Sequence, residues 1–446
     1  MSPSSTEWPS HRFRPTDGYI VHLTRKTGAL TAAALLLASL TVSAPAFGSG
    51  SAAAPAGRAW HTSWAQSQQG LSAASLDDQT VRSIARLSQG GDAVRVRVQN
   101  TFSDAPLALG RGAVAVSADG GAATRPGTTR VLTFGGQRSV TVPAHGEVWS
   151  DPVALGTGPG TDLAVSLHVP GAVRPGEHGA AWRRNYLTPP GSGDHATDAA
   201  AAAFTAETGA TYLVSAVDVR NPRVKGTVVA YGSSVVDGAG SLDCGPGCTP
   251  PATDNRWTDV LARRITRELP ADRQLAVANA GVNGTTAAPD CPGSPAGIAG
   301  LDAASRLGRD VLALHGVTDV IFFYGTNDLQ NGCTAGQVVA AYREVFARLR
   351  AAGVAVHVVP VTPRPIYTDR MNRHRWDIGT FVRDRGTCGG ACDGLVDFDH
   401  TIKDPVAPNS INPAYDVGDG IHVNIAGHRA EGAAVPLPLP GFSRRQ

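Results

Sequence analysis

The chain lacks any apolar run long enough to cross a bilayer, any large excess of charge, and any cysteine before residue 240. Its longest hydrophobic stretch, Ala29–Val42, has about 14 residues, short of the ~20 that a spanning helix needs. Stable membrane insertion through such a helix is therefore not expected. A net charge of +2 leaves no one-signed field to attract nucleic acid or an anionic surface. Charged residues make up 17 % against 42 % hydrophobic, which excludes the disordered class and leaves a globular chain able to bury a core. Lysine is scarce beside arginine, a mark of GC-rich coding rather than of function. Glycine and proline, by contrast, are plentiful at 52 and 31 residues, and imply many turns. At 446 residues the length suits two or three domains of about 150 residues each.

The short apolar run has another reading. Arg25 and Lys26 precede it, and Ala44-Pro45-Ala46 follows with the small-x-small pattern of a signal-peptidase site. Cleavage is expected after Ala46, a polar Ala/Gly/Ser stretch runs on to Gly57, and the mature fold should begin near Trp60. The protein is thus expected to be secreted. Its six cysteines, Cys244, Cys248, Cys291, Cys333, Cys388 and Cys392, are an even number, and in an oxidising compartment they read as disulfides. The expected pairing is 244–248, 291–333 and 388–392. The alternative is a zinc site built from Cys244-x3-Cys248 and Cys388-x3-Cys392.

Two rhythms divide the remainder. Residues 58–221 are strand-like: Ala93–Phe102 alternates valine with Arg and Gln, the pattern of a half-buried strand. Similar runs at 113–117, 130–134, 139–142, 163–169 and 212–219 are separated by turn residues, which suggests a β-sandwich. No cluster of Ser, His and acid with recognisable spacing occurs in this half; Trp60, Trp64 and Trp182 are its candidates for stacking on a glycan. From residue 222 onward, short apolar runs (Thr227–Tyr231, Leu275–Ala278, Val320–Tyr324, Val354–Val361) alternate with amphipathic helices at Thr253–Leu269 and Thr334–Ala352. That alternation predicts a parallel sheet with right-handed crossovers, whose functional residues lie beyond the strands' C-terminal ends.

Those ends carry Gly232-Ser233-Ser234, Asn283-Gly284 and Gly325-Thr326-Asn327-Asp328, and Asp419-Gly420-Ile421-His422 precedes a C-terminal helix. The set has a chemical logic. A serine hydroxyl becomes a nucleophile when a histidine takes its proton, and an acid on the other ring nitrogen holds that histidine in one tautomer. Ser234, His422 and Asp419 fill those roles. Donors are also needed where negative charge develops on the carbonyl oxygen, and the N–H groups of Ser234 and Gly284 with the Asn327 side-chain amide can form that oxyanion hole.

These four blocks resemble the SGNH hydrolase superfamily, the GDSL-type esterases and lipases, with Ser234, Gly284, Asn327 and His422 in the four named positions. The resemblance spans Gly226 to about Gly432 and includes Asn255-Arg256-Trp257, Val396-Asp397-Phe398-Asp399 and Pro413-Ala414-Tyr415-Asp416, which are similar to a branch of secreted arylesterases and xylan-associated acylhydrolases. It implies an α/β protein: a flavodoxin-like three-layer α/β/α domain at 222–446, here preceded by the all-β sandwich-like domain. It also implies no metal and no cofactor, and a glycan, lipid or small-alcohol ester as substrate. A secreted carboxylester hydrolase is the expectation; an acyltransferase on the same site, or a catalytically impaired glycan-binding protein, is the alternative. The chain departs from the family in its first block, where Ser233 stands in place of the usual aspartate. A serine there is expected to accept a local hydrogen bond. Ser233 is also a rival nucleophile, and Asp416 a rival partner for His422. His315, His357 and His400 are further histidines of this half. Arg364, Arg370, Arg373, Arg375, Arg383 and Arg385 form an arginine-rich stretch, read as a solvated face or as a site for an anionic ester.

Overall fold

In Ala93–Gln99 the valines point one way and the arginines the other, and the structure uses both faces. Val94, Val96 and Val98 enter an apolar cluster with Val81, Val114, Leu163 and Val217, strands of two antiparallel sheets. Arg95 pairs with Asp218, and Arg97 is 1 % exposed, donating to Ser215 Oγ and to the Arg309 carbonyl. The half-buried strand expected from alternation is therefore covered on its polar face too, because the second half of the chain packs there. A computed structural model describes residues 59–245, 249 and 253–439. The expected signal segment and Cys248 lie outside the described residues.

One N-terminal sheet runs Trp60–Ala65, Val214–Arg220, Ala93–Gln99, Val153–Ala154. The other runs Ala206–Thr208, Asn185–Leu187, Gln79–Arg86, Asp162–Val169, Arg111–Val116, Arg130–Val131. Two of these strands, Trp60–Ala65 and Gln79–Arg86, carry no alternation in sequence. They are buried along almost their whole length, polar residues such as Thr62, Gln79 and Arg82 included, so no solvent-facing side marks a period.

The second half is a five-stranded parallel sheet in the order Ala276–Gly281, Thr227–Gly232, Val317–Phe323, Ala355–Val358, Gly394–Leu395. Its helices are α1 (Ser234–Asp237), α2 (Trp257–Glu268), α3 (Ala303–Leu307), α4 (Thr326–Gln330), α5 (Ala335–Ala351), α6 (Asp369–Arg383), α7 (Phe398–Ile402) and α8 (Ile425–Ala434). Strand residues alternate between two cores. Val229, Tyr231, Val320 and Phe322 pack with α3, α5 and α6, while Val228, Ala230, Ile321 and Phe323 pack with α2 and α7. Thr334 caps α5 as its position predicted, accepting from the Gln337 N–H. The helix expected at Thr253–Leu269 begins later, at Trp257, where Asp259 reaches back to the Arg256 N–H. No helix among the described residues is long and apolar enough to cross a membrane.

The parallel sheet's outer strand, Ala276–Gly281, is covered by the N-terminal half rather than left open. The Ser88 hydroxyl accepts the Val277 N–H at 2.9 Å, and Gln89 donates to the Leu275 carbonyl. An unpaired sheet edge is in this way satisfied by a neighbouring layer. Thr62 and His315 exchange two further bonds across the same contact, and Ala65 and Ala216 enter the core of the parallel half.

Candidate active site

Strand Thr227–Gly232, second in the sheet order, ends at Gly232, and the chain turns at once into the single turn of α1. Only glycine fits at 232, since a Cβ would lie 2.3 Å from the Phe323 carbonyl oxygen of the neighbouring strand. Ser234 is the first residue of that turn and is nearly buried. His422 arrives from the loop ahead of α8, whose start is capped by the Asn424 side chain. Its Nε2 lies 2.9 Å from Ser234 Oγ, and its Nδ1 lies 2.6 Å from Asp419 Oδ2. An ionised carboxylate only accepts, so Nδ1 carries the hydrogen and Nε2 is free to receive the serine proton. Burial acts to raise the Asp419 carboxyl, but bonds from the His422 ring and from the His422 and Ile421 N–H groups outweigh it and hold it at about 2. Asp416 does not reach the ring; it accepts the Gly418 and Gly420 N–H groups and shapes the loop.

The other two expected donors, Gly284 and Asn327, follow the strands on either side of Thr227–Gly232. Gly284 has φ +78°, a conformation that a Cβ would strain. Among the described residues no acceptor takes the N–H of Ser234 or of Gly284. The Asn327 side chain gives one hydrogen to the Thr285 carbonyl at 2.9 Å and keeps the other. Its Oδ1 accepts from Arg364 Nη2 at 3.3 Å, and because a guanidinium only donates, that contact fixes which end of the amide faces the site. Asp328, wholly buried, ties the two donor loops together by accepting the N–H groups of Ala287, Ala288 and Gly325. Burial pushes its carboxyl up to about 6, against the pull of those donors.

Residues 230–430 match the GDSL-like lipase/acylhydrolase family. This half of the chain belongs to that family, within the SGNH hydrolase superfamily. It is a carboxylester hydrolase domain. Three solved structures are similar to the chain, each covering 47 % of it. They are LAE5, an alpha/beta hydrolase enzyme from the metagenome of Lake Arreo (22 % identity, 93 % of that chain, TM-score 0.35); the aryl esterase of M. smegmatis (21 %, 95 %, 0.35); and Est24, a carbohydrate acetylesterase from Sinorhizobium meliloti (16 %, 96 %, 0.34). No curated protein sequence matches the chain.

Among the remaining expectations some hold, such as the 291–333 and 388–392 pairings, and others need correction. Ser233 accepts no local hydrogen bond through its side chain: its Oγ is buried and has no partner. The arginine stretch is not one solvated face. Arg364 is buried against Asn327 and Gln330, and Arg375 is buried against Asp399 and Asn409; Arg370, Arg373, Arg383 and Arg385 are exposed. His357 is a core residue bonded to Asp319, His315 faces Asp218 across the two halves, and His400 is exposed on α7. Trp64 is buried; Trp60 and Trp182 are half-buried, the Trp60 ring lying under Arg95. Cys291 pairs with Cys333 and Cys388 with Cys392, which removes the latter pair's thiolates from any zinc site. Among the described residues the one grouping with metal-ligand spacing, Cys291, Asp328 and Cys333, likewise has its two sulfurs bonded to each other.

Two roles escaped sequence reasoning. Arg364, named only as part of an arginine-rich stretch, could have been assigned its contact with Asn327 by position, since it follows the fourth strand just as the motifs follow the others. Arg306 on α3 could not. It donates to the carbonyls of Gly232 and Ala280 and to Tyr324 Oη, pairs with Asp310, and lies over the Tyr231 ring. It thereby joins the ends of the three strands that carry the site.

Proposed function

We propose that the protein is a secreted esterase working through an acyl-enzyme, with Ser234 as nucleophile, His422 as base and Asp419 as its orienting acid. The observation that carries the reading is the continuous hydrogen-bond chain from Asp419 through His422 to Ser234. His422 Nε2 takes the Ser234 proton as Oγ bonds to the ester carbonyl carbon. Negative charge gathers on the carbonyl oxygen and is met by the N–H groups of Ser234 and Gly284 and by the Asn327 amide, each donor being worth about 3–4 kcal/mol of barrier. Collapse expels the alcohol, which takes the proton from His422. Water then enters by the same route, gives its proton to His422, and frees the acid as the proton returns to Ser234.

Hydrolysis is favoured over transfer to a second alcohol because the site is open: the side chains of Asp419 and His422 are 43 % and 21 % exposed. Export rests on the signal-like segment and on the disulfides 291–333 and 388–392, since such bonds persist in oxidising compartments. A hydrolysis profile over p-nitrophenyl esters from acetyl to palmitoyl tests the reading. Ser234→Ala is expected to lower kcat by at least about 1000-fold. Turnover that survives Ser234→Ala and disappears with Ser233→Ala would refute it.

A further inference from the structure

α1 is only four residues long, and a single turn does not hold itself in place. No side chain caps its start; the Ser233 carbonyl accepts the Val236 and Asp237 N–H groups from within the turn. Besides the Ser234–His422 bond, three outside contacts fix it. Asn279, on the adjacent strand, donates to the Val236 carbonyl at 2.7 Å, and Trp257 Nε1 on α2 donates to the Val235 carbonyl at 3.0 Å. The third contact comes from the N-terminal half and is the only ionic one of the three: His178 Nε2 lies 2.9 Å from Asp237 Oδ1, with both side chains 1 % exposed.

The protonation of His178 follows from its surroundings. Its Nδ1 lies 2.8 Å from the Ser67 carbonyl oxygen, and its Nε2 faces the Ala180 carbonyl oxygen at 3.1 Å as well as the Asp237 carboxylate. All three partners are acceptors, so both ring nitrogens must carry hydrogen and the ring is an imidazolium. Burial works against that charge, yet Asp237 and the two carbonyls hold the imidazole above its ordinary value. The other charged group near the carboxylate is Arg256, whose own partner is Asp259 and whose stem fills the space beside Gly238.

We infer that His178 is a positioning residue for the nucleophile: its buried ion pair with Asp237 holds α1, and with it Ser234, at bonding distance from His422. This role rests on the reading of Ser234 as the nucleophile. It also makes the β-rich half a structural part of the active site. Only two residues, Val235 and Val236, separate contact from consequence, because Asp237 is the last residue of the turn that Ser234 begins. A misplacement of about 1 Å at a reacting group can cost about 100-fold in rate.

The test uses the full chain and p-nitrophenyl acetate, with active sites counted by titration with an organophosphate so that unfolded protein does not enter kcat. His178→Ala and His178→Gln are each expected to lower kcat per titrated site by about 10- to 100-fold, with KM within about twofold. The double variant His178→Gln/Asp237→Asn, which replaces the ion pair by a neutral amide pair, should recover at least about fivefold over His178→Gln alone. Unchanged kcat per site in both single variants, with loss confined to yield or thermal midpoint, would overturn the role. With Asp237→Asn also measured alone, a double variant whose loss is the product of the His178→Gln and Asp237→Asn losses would overturn it as well. Wild-type protein without turnover would refute the reading of Ser234, a failure distinct from the variants behaving like an active wild type.

Discussion

Replacing Arg306 by methionine keeps a long, unbranched side chain and removes every donor. Two buried carbonyls, Gly232 and Ala280, then lose their bonds from Arg306, which were 2.7 and 2.8 Å long. Gly232 keeps the Val282 N–H at 3.1 Å, so the larger loss is at Ala280; a buried carbonyl left unsatisfied costs about 1–3 kcal/mol. Asp310, wholly buried, loses one of its two arginines but keeps Arg309 at 2.6 Å. That places the cost of the broken pair near the low end of the usual range, about 3 kcal/mol. Members of one network do not add independently, so a total of about 4–6 kcal/mol is expected. Against a total stability of about 5–15 kcal/mol, the variant should be folded but fragile. Its thermal midpoint should fall by about 5–15 °C, read by circular dichroism. Its kcat per titrated site should fall too, because the Gly232 carbonyl lies two residues before the nucleophile. A midpoint within about 2 °C of wild type and an unchanged kcat would refute the view that Arg306 joins the strand ends.

Ser233→Ala should retain activity within about twofold and lose no stability, since it removes a buried hydroxyl without a partner; such a group costs about 1–3 kcal/mol to bury. A large loss of kcat would mean that the hydroxyl acts in the reaction. Asp328 gives a pH signature: its carboxyl is raised from 3.8 to about 6, so its favourable contribution to folding is full below pH 3.8 and is lost as pH rises through 6. The shift corresponds to about 3 kcal/mol. The stability of wild type relative to Asp328→Asn, measured by denaturant titration, should therefore fall by about that amount between pH 4 and pH 8; a pH-independent difference would contradict it.

Much of the catalytic half was legible because its signals are local. The alternation of apolar runs with amphipathic helices identified four of the five parallel strands, and Thr334 marked the start of α5. The fifth strand, Gly394–Leu395, is two residues long and too short to show a period. Strand ends located Ser234, Gly284 and Asn327, because a chain leaving a parallel sheet must turn there. The N-terminal half was less readable, for Gln79–Arg86 buries polar and apolar residues alike and shows no clean apolar stripe.

The sequence by itself determined which residue types stand at the strand ends and in what order, which is enough for a serine, a histidine, an acid and three donors to be named. Only the tertiary structure decided how they are held. His178 and Asp237 are 59 residues apart, and Arg306 and Gly232 are 74 apart. No spacing rule links such positions, because each contact exists only after two separately formed layers have packed. The isolated histidine and the arginine inside an apolar helix acquired their roles from burial, which leaves a charged group no stable state except beside the partners the fold brings to it.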